Sequence, residues 1–132
     1  MHIRHVLIKV DDQDQALRFY TSVLGFVKNQ DTPMGPFRWL TVSSSSSSED
    51  HERVEIVLEP SSPPPAKTSQ QALYDAGFPA LLLTTNDIAA DYKRLKGLGV
   101  QFRGEPQRAG PVSTVFFEDT CGNLINLAQL AA

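Results

Sequence analysis

The chain has 132 residues, which corresponds to about one domain and is enough to bury a core without disulfide bonds. Apolar residues make up 41% and charged residues 20%, which excludes a disordered chain, a coiled coil and a collagen-like fibre. The net charge is -3 and there is no basic run, so we expect no nucleic-acid partner. No apolar stretch is long enough to span a membrane, so we expect no membrane partner. The single cysteine, Cys121, and the absence of a signal-like first segment favour a cytoplasmic protein.

The first half of the sequence predicts the order strand, helix, strand, strand, strand. A short β-branched strand precedes an amphipathic helix, which Asp11 or Asp12 caps and Gly25 ends. The serine run 43–48 predicts a solvated hairpin loop, in which His51 is expected to be exposed. The predicted strands of this half are 3–10, 26–30, 37–42 and 54–58, the last broken by Pro60.

The second half predicts the same order again. A helix begins at Asp87 and ends at Gly99, and its apolar residues lie on one face. Prolines in 60–65 predict a rigid extended linker, followed by a short helix at 69–76 that Gly77 ends. The predicted strands of this half are 80–85, 100–103, 112–118 and 124–128.

An internal repeat connects the two halves. An offset of 75 carries Asp12 onto Asp87 and the dipeptide at 35–36 onto the same dipeptide at 110–111. In the last strands the offset is 71, which carries Glu55 onto Asn126. The sequence therefore predicts an α+β fold of two tandem βαβββ units, 1–60 and 78–132, joined by a linker and short helix at 61–77 within one domain.

The paired units, with a histidine in the first strand, resemble the vicinal oxygen chelate superfamily of glyoxalase, bleomycin-resistance proteins, fosfomycin-resistance enzymes and extradiol dioxygenases. The resemblance is carried by the segments 5–11, 16–20 and 24–26, and by the turn 118–124 that leads into the last strand. It implies a curved mixed-sheet cup with helices on its outer face. It also implies a homodimer, and closed two-fold dimers are the commonest oligomers in general.

The resemblance implies four metal positions in the cup, which are His5, Glu55, Ala80 and Asn126. Strand alternation independently directs His5 with Lys9, and Glu55 with Val57, to one face of their strands. Imidazole and carboxylate suit a divalent zinc, nickel, iron or manganese ion. Alanine has no donor atom and asparagine offers a neutral amide, so two protein ligands remain where a catalytic metal normally has three. A complete site would need Glu59, Glu118 or a partner subunit.

We therefore predict that the cup binds a small organic molecule without a full catalytic metal site. The alternative is a metal-dependent lyase or dioxygenase in which His5 and Glu55 hold the metal and Glu55 is a ligand or general base. A third interpretation is an interaction module whose cup has no chemistry. Separately, His5 and Glu55 could form a structural buried pair that satisfies its own hydrogen bonds. The predicted ligand-binding residues are His5, Lys9, Trp39, Glu55, Val57 and Asn126.

Overall fold

The computed structural model describes residues 1–44 and 53–130. Within these ranges the chain forms two open four-stranded mixed sheets with helices, an α+β fold that confirms the two tandem βαβββ units. The chain divides into two compact units, Met1–Gln70 and Gln71–Ala132, and the division falls inside the second helix. His51 and most of the serine run lie outside the described residues.

Each sheet has a parallel pair at one edge and antiparallel pairs beyond it. The strand orders are β1-β4-β3-β2 in the first unit and β5-β8-β7-β6 in the second. The strands are β1 (His5–Val10), β2 (Val27–Met34), β3 (Phe37–Ser43), β4 (Glu55–Pro60), β5 (Leu81–Thr84), β6 (Gln107–Ala109), β7 (Val112–Glu118) and β8 (Leu124–Leu130). The helices are α1 (Gln13–Arg18), which continues as a π-helical turn (Phe19–Val23), α2 (Pro64–Asp75) and α3 (Ile88–Gly97).

The two repeated helices begin in the same way, as the offset of 75 predicts. The Asp12 carboxylate accepts a hydrogen bond from the Gln15 amide at 2.9 Å, and that of Asp87 accepts one from the Ala90 amide at 3.0 Å. These contacts satisfy amides that the first helical turn leaves without partners. Among the described residues, no helix is both long and apolar enough to cross a membrane.

The predictions for two segments of the chain were wrong. Residues 100–103 are not a strand, because only Phe102 pairs there, in an isolated bridge with Phe117. The strand that flanks β7 at this edge is β6 instead, three exposed residues with no apolar alternation to reveal them. The proline linker is also much shorter than predicted, because α2 begins at Pro64. A proline fits the first helical turn, whose amides have no partner within the helix.

Four strands end beyond their predicted limits, and two of these extensions include a proline. Pro60 is the last residue of β4 and pairs with Val10, and the Ser61 amide donates to the Val10 carbonyl at 2.9 Å. The amide of the next residue thus supplies the hydrogen bond that a proline lacks. Strand β2 runs to Met34, since an edge strand tolerates Pro33.

The packing of the first sheet against α1 shows which face of its strands is buried and which is left uncovered. Ile8 and Val10 of β1 are buried, and so is Leu58 of β4, whose carbonyl accepts from the Gln13 side chain of α1 at 2.9 Å. Because side chains alternate along a strand, the opposite face of β1 carries the residues that the helix leaves uncovered. Leu7, on that opposite face, is 56% exposed.

The ends of α2 make different polar contacts. Near its beginning, Lys67 pairs with Asp11 at 2.8 Å within the first unit. Near its end, the Tyr74 hydroxyl donates to the Glu118 carboxylate within the second unit, and the Arg103 guanidinium lies 4.9 Å from the centre of the Tyr74 ring. The carboxylate raises the pKa of the Tyr74 phenol above its ordinary 10.0, since an ionised phenol would lose the hydrogen bond and face a like charge.

This contact predicts an alkaline dependence of stability. A phenol whose pKa is raised in the folded protein stabilises the fold below the ordinary pKa of 10.0, and this contribution is lost as the pH rises through the folded value. Chemical unfolding should show a stability advantage of the wild type over Tyr74→Phe near neutral pH that shrinks above pH 10. Glu118→Gln should weaken this pH dependence. A difference between wild type and Tyr74→Phe that stays constant with pH would contradict the assignment.

Candidate functional site

The first unit carries polar side chains on the face of its sheet that α1 does not cover. Strands β1 and β4 are parallel, and His5 is the Cα partner of Glu55. Leu7 pairs with Val57 along the same strands, and Val57 pairs with Thr41 of β3. Residues two apart on a strand share a face, so Trp39 lies on this side as well. We call this side of the first sheet the His5 face.

Glu55 is held by two neighbours. The residue is 5% exposed, and its carboxylate accepts a hydrogen bond from the Thr41 hydroxyl at 2.6 Å. The Arg53 guanidinium lies 3.8 Å from the other carboxylate oxygen. A buried carboxylate is tolerated when hydrogen bonds and an opposite charge compensate it. Both oxygens of Glu55 therefore face groups of the chain itself.

His5 has a different environment. Its ring lies against Trp39 in an edge-to-face arrangement, with 5.4 Å between the ring centres. The Trp39 indole is itself fixed, because its N–H donates to the Gln30 side chain at 2.7 Å. The His5 Nε2 atom is buried and has no hydrogen-bond partner within residues 1–44 and 53–130. A buried polar atom of this kind costs stability unless something else, such as a ligand, satisfies it.

Lys9 extends the His5 face at the far end of β1. Its ammonium forms an ion pair with Glu59, its Cα partner on β4. Both side chains are partly exposed. The pair places one charge of each sign at this end, so the His5 face presents compensated charges together with aromatic and aliphatic surface.

The second unit carries Asn126 at the corresponding position of β8. Its Cα partners are Leu82 on β5 and Phe116 on β7, so the amide lies between two apolar side chains. The Asn126 Oδ1 atom is buried and has no hydrogen-bond partner in the described parts of the chain. Ala80 precedes β5 and is exposed, and its amide donates to the Leu124 carbonyl at 2.8 Å.

The donor set of the described residues does not fit a metal ion. No group of three His, Cys, Asp or Glu side chains comes together within them. Glu55 already meets a hydroxyl and a guanidinium, and that positive charge opposes a cation at the same carboxylate. Glu59 and Glu118, the two carboxylates that could complete the metal site, also have partners. Glu59 forms an ion pair with Lys9, and Glu118 accepts a hydrogen bond from Tyr74.

Comparison with known proteins identifies the class. Residues 2–127 match the family model of the Glyoxalase/Bleomycin resistance protein/Dioxygenase superfamily. The chain belongs to this superfamily, as the resemblance of its motifs implied. The turn before β8 has the expected form, since the buried Asp119 carboxylate accepts from the Cys121 and Asn123 amides at 2.7 and 3.0 Å.

Three individual proteins are similar along most of their length. The uncharacterized protein YurT of Bacillus subtilis (strain 168) is 47% identical over 122 residues, which cover 92% of this chain and 94% of YurT. The crystal structure of UcmS2 has 32% identity and a TM-score of 0.80, covering 97% of each chain. TnmS3, an antibiotic binding protein from Streptomyces sp. CB03234, has 28% identity and a TM-score of 0.72, covering 99% of this chain and 97% of its own.

Some of these neighbours follow from patterns in the sequence and others do not. Strand alternation placed His5 and Glu55 on one face, and the register of β1 and β4 brings them side by side. The prediction missed Thr41 and Arg53, the two groups that hold the Glu55 carboxylate. Thr41 lies two residues after Trp39 on β3, so strand alternation could have placed it on the same face. Arg53 precedes the strand and follows the serine run, where no pattern fixes a side-chain direction.

The unpartnered His5 nitrogen leads to a stability test. His5→Phe retains a ring against Trp39 and removes the buried nitrogen, so stability should be unchanged or rise by up to about 1 kcal/mol. Thr41→Val is the comparison variant, because it keeps the shape but removes the hydroxyl that donates to Glu55. It should cost about 1–3 kcal/mol. Urea unfolding measures both variants. If His5→Phe lowered the free energy of unfolding by more than about 2 kcal/mol, His5 would have a role in stabilising the fold, and its nitrogen would not be one left unpaired for a ligand.

Proposed function

We propose that the protein binds a small organic molecule at the His5 face and does so without a catalytic metal. The observation that carries the proposal is the buried His5 Nε2 atom, which lacks a partner in the described residues although it stands beside a fixed indole. The similarly unpartnered Oδ1 atom of Asn126 supports it within the second unit. Polar atoms with unused hydrogen-bonding capacity, set among apolar side chains, are typical of ligand sites.

The surroundings indicate the chemistry of the ligand. The ring nitrogens of an imidazole can donate or accept a hydrogen bond, so the buried His5 Nε2 atom calls for a polar group on the ligand. The charges of the His5 face are paired, Glu55 with Arg53 and Lys9 with Glu59. A ligand with a formal charge would therefore compete with existing ion pairs. We infer a neutral ligand with an apolar, flat portion that contacts Trp39 and polar groups at its edge.

One of the similar proteins supports a binding role. TnmS3, which covers nearly the same length, is an antibiotic binding protein. We infer by this similarity that the ligand is a toxic organic compound, which the protein holds stoichiometrically. Such a role needs affinity and a closed set of hydrogen bonds but no reacting group.

A second candidate is the metal-dependent lyase or dioxygenase of the same superfamily. The unused His5 Nε2 atom favours it, because neutral imidazole is a common metal ligand. The guanidinium at Glu55 and the neutral side chains of Ala80 and Asn126 weigh against it. A homodimer and a cytoplasmic location remain predictions, and light scattering of the purified protein tests the first.

Trp39 gives a direct test of binding, because it is the single tryptophan of the chain. A library of neutral aromatic compounds, including antibiotics, should contain ligands that raise the melting temperature and quench the Trp39 fluorescence. His5→Phe should weaken binding of such a ligand at least about tenfold, the effect of losing one hydrogen bond to a buried group.

The control is Phe78→Ala, which removes an exposed aromatic ring of the second unit that lies outside its strands. It should leave the affinity unchanged. Thermal stabilisation without any change in Trp39 fluorescence, or equal binding by wild type and His5→Phe, would contradict the assignment of the site.

A further inference from the structure

The second unit contains a cleft that the proposed function does not use. It has a volume of about 450 Å³ and lies between the end of α3 and the segment that follows it. This is within the range of small-molecule sites, roughly 300–1,000 Å³. Its lining includes Tyr92, Lys96, Val100, Phe102, Gly104 and Glu105.

The aromatic wall of the cleft is fixed by packing. The Phe102 ring lies edge-to-face against Tyr92, with 4.6 Å between ring centres, and 5.6 Å from the ring of the fully buried Phe117. Two backbone hydrogen bonds hold the same segment to β7. The Arg103 amide donates to the Phe116 carbonyl at 2.8 Å, and the Gln101 carbonyl accepts from the Glu118 amide at 3.0 Å. The wall is therefore formed before any ligand arrives, which lowers the cost of binding.

The cleft lies on the opposite side of the second sheet from Asn126. Phe116 is the Cα partner of Asn126, and successive residues of a strand point to opposite faces. Phe117, which contacts Phe102, therefore points away from the face that carries Asn126. Within the second unit, the cleft is separate from the residue that supports the proposed function.

The cleft carries one cationic and one anionic side chain that have no ion-pair partner among the described residues. The Lys96 ammonium donates to the Tyr92 hydroxyl at 3.2 Å and lies 5.4 Å from the centre of that ring. An ammonium has three donors, and no carboxylate pairs with Lys96 in the described residues. The side chain of Glu105 likewise meets no cation there, and only its backbone carbonyl accepts, from Gln107 at 3.4 Å.

We propose that this cleft binds a small zwitterion, an amino acid or dipeptide with an apolar side chain. The carboxylate of the ligand pairs with Lys96, its ammonium pairs with Glu105, and its side chain packs against Tyr92 and Phe102. Two opposite charges beside an aromatic wall select a molecule that carries both charges and an apolar group. This is a second ligand site, and it goes beyond the function proposed for the His5 face.

L-Phenylalanine is the probe, and amide chemical shifts of the full chain are the measurement. Titration should move the amides of Gly99, Gln101 and Gly104 and leave the Trp39 indole signal unchanged. 3-Phenylpropionate lacks the ammonium and phenethylamine lacks the carboxylate, so each should bind at least about tenfold more weakly, as expected for a lost ion pair.

Lys96→Met keeps most of the aliphatic stem and removes the charge, and it should weaken binding of L-phenylalanine at least about tenfold. Lys93→Met is the matched control, since Lys93 is an exposed lysine of α3 that does not line the cleft. It should bind like the wild type. Absence of shifts at the three cleft amides, shifts at Trp39 instead, or equal weakening in both variants would overturn the proposal. Because Trp39 is recorded in the same spectra, this result is independent of whether the His5 face binds its own ligand.

Discussion

The parallel pairing of β1 with β4 is the constraint on which the candidate site depends. It places His5 beside Glu55, although 49 residues separate them along the chain, and it continues in register to Pro60 beside Val10. A slip of one residue would turn every side chain of β1 to the other face, burying Lys9 and exposing Val10. The aliphatic residues that pack under α1 therefore fix the position of the polar ones on the His5 face.

The environment of the two residues distinguishes their roles. Glu55 is satisfied within the first unit by a hydroxyl and a guanidinium, whereas His5 keeps a buried nitrogen unpaired among the described residues. Natural proteins accept such a cost at functional positions. The second unit repeats the arrangement with an amide between Leu82 and Phe116. The fold thus retains positions that a metalloenzyme would use, but Ala80 and Asn126 occupy two of them.

Much of the fold could be predicted because its signals are local. The aspartates that cap α1 and α3 and the repeated offset depend on residues close together in sequence. The edge strand β6 could not be predicted, since its three residues are all exposed and show no apolar alternation. Its pairing with β7 is set by the chain that returns beside it. The pair of His5 and Glu55 followed from strand alternation. The contact of Arg53 with Glu55 did not, because the direction of that side chain depends on packing at the end of a loop and not on any period in the sequence.

Metal content tests most directly whether the His5 face binds an organic ligand without a metal. Purified protein would be incubated with zinc, nickel, iron and manganese, freed of excess metal and measured by elemental analysis beside His5→Ala. The charges around Glu55 predict that the wild type retains no more metal than the variant. Retention of about one metal ion per chain by the wild type, lost in His5→Ala, would contradict the account and make the metalloenzyme the better assignment.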